Sequence, residues 1–127
     1  MCIVKTITTN NVAFYKAKNL PSIKIGDTVK IVIFLELPKD QNLDKKEKER
    51  IQAYEGVVIA RHGKDNSLNS TITVRKMFQG GGIEKVFLLN SPWIKSINVI
   101  TSAKVRRSKL YFLRQRTGKS ARLKRAF

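Results

Sequence analysis

Thr28-Val29-Lys30-Ile31-Val32-Ile33-Phe34-Leu35-Glu36-Leu37 is the stretch that decides the fold. Val29, Ile31, Ile33, Leu35 and Leu37 are all apolar, while the alternate positions mix Thr28, Lys30 and Glu36 with Val32 and Phe34. A period of two belongs to an extended chain, whose side chains point to opposite faces in turn. The segment therefore reads as a strand with one fully apolar face and one partly apolar face. Gly26-Asp27 just before it is a turn signal, and Pro38 ends it.

Similar segments lie downstream. Ile51–Arg61 contains Val57-Val58-Ile59-Ala60 after Glu55-Gly56, a strand with a bend or bulge at the glycine. Gly63–Asn69 is polar turn material. Thr71–Phe78 is a β-branched strand, Gly80-Gly81-Gly82 turns the chain, and Ile83–Leu89 is a strand broken by Asn90-Ser91-Pro92. Trp93–Ile100 closes the series, with Ile97 and Val99 alternating against Ser96 and Asn98. Strands at this spacing, without amphipathic helices between them, define an all-β unit. A core of about 80 residues buries only ~60–65% of its unfolded surface. A small, strongly bent barrel of SH3-like or OB-like type is the economical arrangement, because closure removes exposed edges. Three parts are expected: an N-terminal arm over 1–20 with no settled period, a β-barrel over 21–101, and a basic C-terminal extension over 102–127. Pro38–Arg50 carries five basic and four acidic residues and almost nothing apolar, so it reads as a solvated loop, hairpin tip or short exposed helix.

The extension sets the chemistry. The last 43 residues contain no Asp or Glu, and ten Lys and Arg fall between Lys104 and Arg125. Like charges this close repel within a Debye length, so the extension is expected not to fold compactly without a polyanion and to become ordered on binding one. The whole chain has a formal net charge of +17, far beyond what solubility requires. Tyr111, Phe112 and Leu113 are interleaved with the cations, a mixture suited to phosphates on one side and sugars or bases on the other.

Other functions are poorly served. Cys2 is the only cysteine, which excludes an internal disulfide framework and favours a reducing compartment. No apolar run approaches the ~18 residues of a membrane span. Met1–Tyr15 has one Lys and no Arg, unlike a secretory or transit leader, so the chain reads as made where it works or already trimmed. His62 is the lone histidine, and the nine carboxylates form no ligand-spaced cluster, so no catalytic residue, metal site or cofactor is expected. Thr117-Gly118-Lys119-Ser120 imitates the end of a phosphate-binding loop, but the glycine that pattern needs five residues earlier is Leu113. Gly118 more simply breaks a short helix and lets the backbone approach a phosphate. The Gly80–Gly82 run fits a hairpin turn better than a phosphate cradle. Arg75 and Lys76 place one cation on each face of their strand, as solvated residues or as RNA contacts.

Several long motifs, in order, now point to one family. They are Pro21-Ser22-Ile23-Lys24-Ile25-Gly26-Asp27-Thr28-Val29, Gln52-Ala53-Tyr54-Glu55-Gly56-Val57-Val58-Ile59-Ala60 and Thr73-Val74-Arg75-Lys76. Glu84-Lys85-Val86-Phe87, Ser91-Pro92, Lys109-Leu110-Tyr111-Phe112-Leu113-Arg114 and Arg116-Thr117-Gly118-Lys119 follow. Over residues 21–125 the chain resembles large-subunit ribosomal protein L19 of bacteria and plastids. The resemblance implies an SH3-like barrel with extended termini, no enzymatic activity, and a seat on the large-subunit face that meets the small subunit. It implies contact with large-subunit rRNA, with small-subunit rRNA through intersubunit bridges, and with proteins L3 and L14. No membrane partner and no homo-oligomer are expected. Its candidate RNA contacts are Arg75, Lys76, Arg106, Arg107, Lys109, Tyr111, Arg114, Arg116, Lys119, Arg122 and Lys124, to which the charge pattern adds Arg61, Lys104 and Arg125. Gln115 and Arg125 depart from a pattern that often has acids there, Asn90 replaces a usual His, residues 38–50 are longer than the usual hairpin, and the arm does not match. Seventeen Lys against nine Arg, with thirteen Ile and eight Asn, suit an AT-rich genome: a plastid (chloroplast stroma) ribosome, with the cytoplasm of an AT-rich bacterium as the alternative.

The implied mechanism is structural. The barrel docks on folded RNA, and the extension threads into a crevice and neutralises phosphates. About eight neutralised phosphates would cost three to five orders of magnitude in affinity between 50 and 200 mM salt. The rival is a nucleic-acid architectural protein binding structured RNA or DNA outside the ribosome.

Overall fold

The computed structural model describes residues 20–36, 50–64 and 67–126. The arm except for Leu20, and most of the Pro38–Arg50 segment, lie outside the described residues, as does Leu37.

Five strands form: β1 Thr28–Phe34, β2 Ile51–His62, β3 Thr71–Phe78, β4 Gly81–Leu88 and β5 Ile94–Thr101. All pair antiparallel in one sheet of order β4-β3-β2-β1-β5. The all-β class expected from the alternation is the class observed. In β1, Val29 and Ile31 are fully buried, but Leu35 is exposed beyond the strand's end. The turn before β1 is held by Asp27, whose buried Oδ2 accepts a hydrogen bond from the Lys24 backbone N–H at 2.8 Å. Gln79 and Gly80 make the two-residue β3–β4 turn with φ of 48° and 78°, so the hairpin reading of the glycine run holds and Gly81 and Gly82 belong to β4.

The sheet is curled but not closed. A flat sheet of five strands would hold β4 and β5 about 19 Å apart. The link between them consists of two successive turns, with Ser91 N–H donating to Leu88 O and Ile94 N–H donating to Ser91 O. Two such turns span at most about 14 Å. The outer strands are therefore drawn toward each other around one core. That core joins Ile23, Val29, Ile31, Tyr54, Val58, Ile72 and Val74 to Phe87 and Leu89 from one edge and Ile94 and Ile97 from the other. The full closure expected from edge protection does not occur: β5 pairs with β1, and no ladder joins its other edge to β4.

A bulge in β2 has the larger consequence. The register against β3 shifts between Val58 and Ala60, not at Gly56. An extra residue on one strand puts neighbouring side chains on the same face. Val58 enters the main core, while Ile59 and Ala60 are buried together in a second cluster. This strand therefore buries both of its faces.

Candidate nucleic-acid interface

The second cluster is where the basic extension lands. Leu110 and Leu113, 1% and 5% exposed, pack with Ile59 and Ala60, and Ile25, Val105, Phe112, Ala121 and Leu123 surround them. The Leu110 N–H donates to Ile59 O at 2.8 Å. Two 3-10 turns, Tyr111–Arg114 and Gly118–Ala121, carry the chain across this surface. The chain then returns to its own start. Ala103 and Arg125 form an antiparallel bridge, Lys104 N–H donates to Lys124 O at 3.1 Å, and Ala126 N–H donates to Ser102 O at 2.8 Å. The extension is a strap pinched shut at its base.

This overturns the expectation that the extension stays unfolded until a polyanion arrives. Self-repulsion fails to open it for a geometric reason. All ten cations from Lys104 to Arg125 are exposed, where water and salt screen them, while Val105, Leu110, Phe112, Leu113, Ala121 and Leu123 turn inward or are half-buried. Exposed charges cost little, and burying two leucines against β2 contributes about 1.5–3 kcal/mol each.

Aromatic rings arrange several of these cations. Arg114 lies 4.4 Å and Lys109 5.8 Å from the Tyr111 ring centre, and Arg116 lies 5.1 Å and Arg107 5.5 Å from that of Phe112. Such contacts are worth about 0.5–1 kcal/mol at exposed sites. In this structure Tyr111 and Phe112 hold cations in an array.

A carboxylate completes the arrangement. Glu84 Oε1 accepts from Nη1 of Arg75 and from Nε of Arg114, and its Oε2 accepts from Nη2 of Arg114, each at 2.9 Å. The Arg114 fork, and after it Arg75, hold the Glu84 carboxyl below its usual range, against the opposing effect of partial burial. Arg75 has a seat of its own, since a Cβ at Gly82 would fall on its guanidinium. Close by, the Tyr54 hydroxyl donates to Ile83 O at 3.0 Å, and burial, with the Glu84 charge, pushes its pKa up.

The candidate contacts thus divide. Lys104, Arg106, Arg107, Lys109, Tyr111, Arg114, Arg116, Lys119, Arg122, Lys124 and Arg125 share the strap and are exposed. Lys76 is half-buried, 5.9 Å from the Phe78 ring centre. Arg61 and Arg75 turn inward: Nη1 of Arg61 donates to Ile23 O at 2.9 Å, and Arg75 faces Glu84. Sequence reasoning passed over Glu84, although it is the last acid before the acid-free run. His62 is exposed at the end of β2, and the described residues contain no group of three or more His, Cys, Asp or Glu able to hold a metal. Among them no helix is long and apolar enough to cross a membrane.

Comparison with known proteins gives the same direction. Residues 3–126 match the family model for ribosomal protein L19. The chain is similar to the large ribosomal subunit protein bL19c of Mesostigma viride, 54% identical over 109 residues that cover 86% of this chain and 83% of that one. It is similar to the bL19c of Trieres chinensis, 49% identical over 123 residues, covering 97% and 93%. The bL19 of Nostoc punctiforme is 52% identical over 109 residues, covering 86% and 82%.

Proposed function

We propose, from the premise that this chain belongs to the ribosomal protein L19 family and is a structural constituent of the large ribosomal subunit, that its strap is the surface docking on ribosomal RNA. One observation carries this reading: the ten cations of an acid-free strap are all exposed, Arg114 while bonded to Glu84, and its apolar residues face the protein's own sheet. Phosphates supply the counter-charge, and the fixed outline of the strap selects RNA by shape. Arg106, Arg107, Arg116 and Arg122 offer paired N–H donors to phosphate, while Lys104, Lys109, Lys119 and Lys124 act as point charges. Lys76 extends the surface onto β3. Arg61 and Arg75 act from behind, bracing the sheet.

The finer placement follows from the family reading. The protein sits where the large subunit meets the small one, beside L3 and L14, and reaches small-subunit rRNA in bridges. Its ribosome is that of a plastid, as the lysine- and isoleucine-rich composition suggests, with a bacterial ribosome as the alternative.

Reconstitution tests the reading. Large subunits stripped of this protein and mixed with the full chain should retain it through a moderate salt wash, and Arg106, Arg107, Arg116 and Arg122 all changed to Gln should release it. Retention of that variant equal to wild type would refute the strap's role. Equal binding to duplex DNA and rRNA at matched salt would favour a general architectural protein.

A further inference from the structure

Beside the ten cations of the strap, Glu84 supplies a carboxylate that bonds one of them, Arg114. A carboxylate beside a surface that binds a polyanion should weaken attachment by repulsion. The geometry of Glu84 argues the reverse. Both of its oxygens are engaged, three times over, by guanidinium donors. Its partners differ in kind. Arg75, with an 11% exposed side chain, is fixed in the sheet over Gly82. Arg114, 49% exposed, belongs to the strap and lies against Tyr111. A two-pronged bond fixes the plane as well as the position of a guanidinium. Glu84 thereby ties residue 114 to the sheet one residue beyond Leu113 and on the polar side of the turn that Leu110 and Leu113 hold on the apolar side.

We propose that Glu84 is a positioning residue for RNA docking: by joining Arg114 to Arg75 it holds the strap in its binding shape before RNA arrives, so this acid strengthens attachment to a polyanion. The inference rests on the RNA-docking reading above. Its physical basis is preorganisation, because a strap ordered beforehand does not surrender its chain entropy on binding.

The test uses the full chain, large-subunit rRNA and two variants. Binding is measured across a salt series, and amide-exchange protection of Leu110, whose N–H donates to Ile59 O, is measured without RNA. Glu84→Gln raises the net charge by one, yet it should bind about tenfold more weakly. Its salt slope should match wild type, and Leu110 should lose protection. Arg114→Lys keeps the charge and the Arg75–Glu84 pair but loses the fork, and it should also bind more weakly and expose Leu110. The double variant should bind no more weakly than the weaker single, because both break one link. Equal or tighter binding by Glu84→Gln, or undiminished Leu110 protection, overturns the proposal. Should Glu84→Gln also expose β3 amides, Arg114→Lys decides, and full Leu110 protection there overturns it. Wild-type chain that fails to bind rRNA sinks the docking reading and this inference together. Wild-type binding with an unaltered Glu84→Gln affinity sinks this inference alone.

Discussion

Glu84 shows how one side chain changes the behaviour of a strongly charged segment. Its carboxyl is held below the usual range by Arg114 and then Arg75, so the bonded form contributes stability above the ordinary carboxylate range. That contribution is lost as pH falls through the depressed value. Denaturant unfolding of wild type and Glu84→Gln should therefore differ at neutral pH, begin to converge below about pH 4.3, the ordinary glutamate value, and meet only below the depressed one. A difference that does not change with pH would mean the bonds contribute nothing. Gly82 gives a second prediction. Gly to Ala within a strand is usually mildly favourable. Here the new methyl group would displace the Arg75 guanidinium, the movable end of a flexible side chain, and with it the Arg75–Glu84 pair, so the usual gain should be absent and the thermal midpoint no higher than wild type. A raised midpoint would show that Arg75 has no fixed seat. The sequence showed a hairpin turn near Gly80 between the strands that carry Arg75 and Glu84, but placed it over Gly80–Gly82; the two-residue turn at Gln79-Gly80 is what sets Arg75 opposite Glu84, an opposite-charge cross-strand pair. The Glu84–Arg114 fork was not legible at all, because nothing local ties residue 84 to residue 114.

The five strands were legible because each carries its own period or β-branched run, bounded by Gly, Pro or Asn. β1 was the clearest, and its inward residues Val29 and Ile31 lie where alternation puts them. β2 carried a signal that alternation does not capture. Val57-Val58-Ile59-Ala60 is continuously apolar, which marks a strand covered on both sides. The cover is the strap, and the bulge between Val58 and Ala60 presents Ile59 and Ala60 to it. Leu110 and Leu113 were recognisable as anchors, but their spacing alone does not say whether they anchor to RNA or to protein. Leu110→Ala should weaken strap docking by about 2 kcal/mol or more. Amide protection should then fall from residue 104 to 124 while β3 amides stay protected. Loss of protection throughout the sheet would instead make the strap part of the sheet's core stability.

The described residues form a curled, open sheet with a cationic loop fastened to its outer face. Its net charge of +17 signalled a polyanion partner, but the same reasoning implied that the strap would not order alone. That implication treated the segment as uniform charge. Once the apolar residues are placed on the sheet and the cations in water, repulsion is screened and the strap becomes part of a rigid body. Rigid charge should bind RNA with a fixed stoichiometry of phosphates. The most direct measurement is the slope of log affinity for large-subunit rRNA against log salt. For about eight phosphates the slope should be near −6, and changing Arg106, Arg107, Arg116 and Arg122 to Gln should make it shallower by about 3. A slope near zero, or one that those four substitutions leave unchanged, would contradict the claim that the outward charge of the strap is what the ribosomal RNA neutralises.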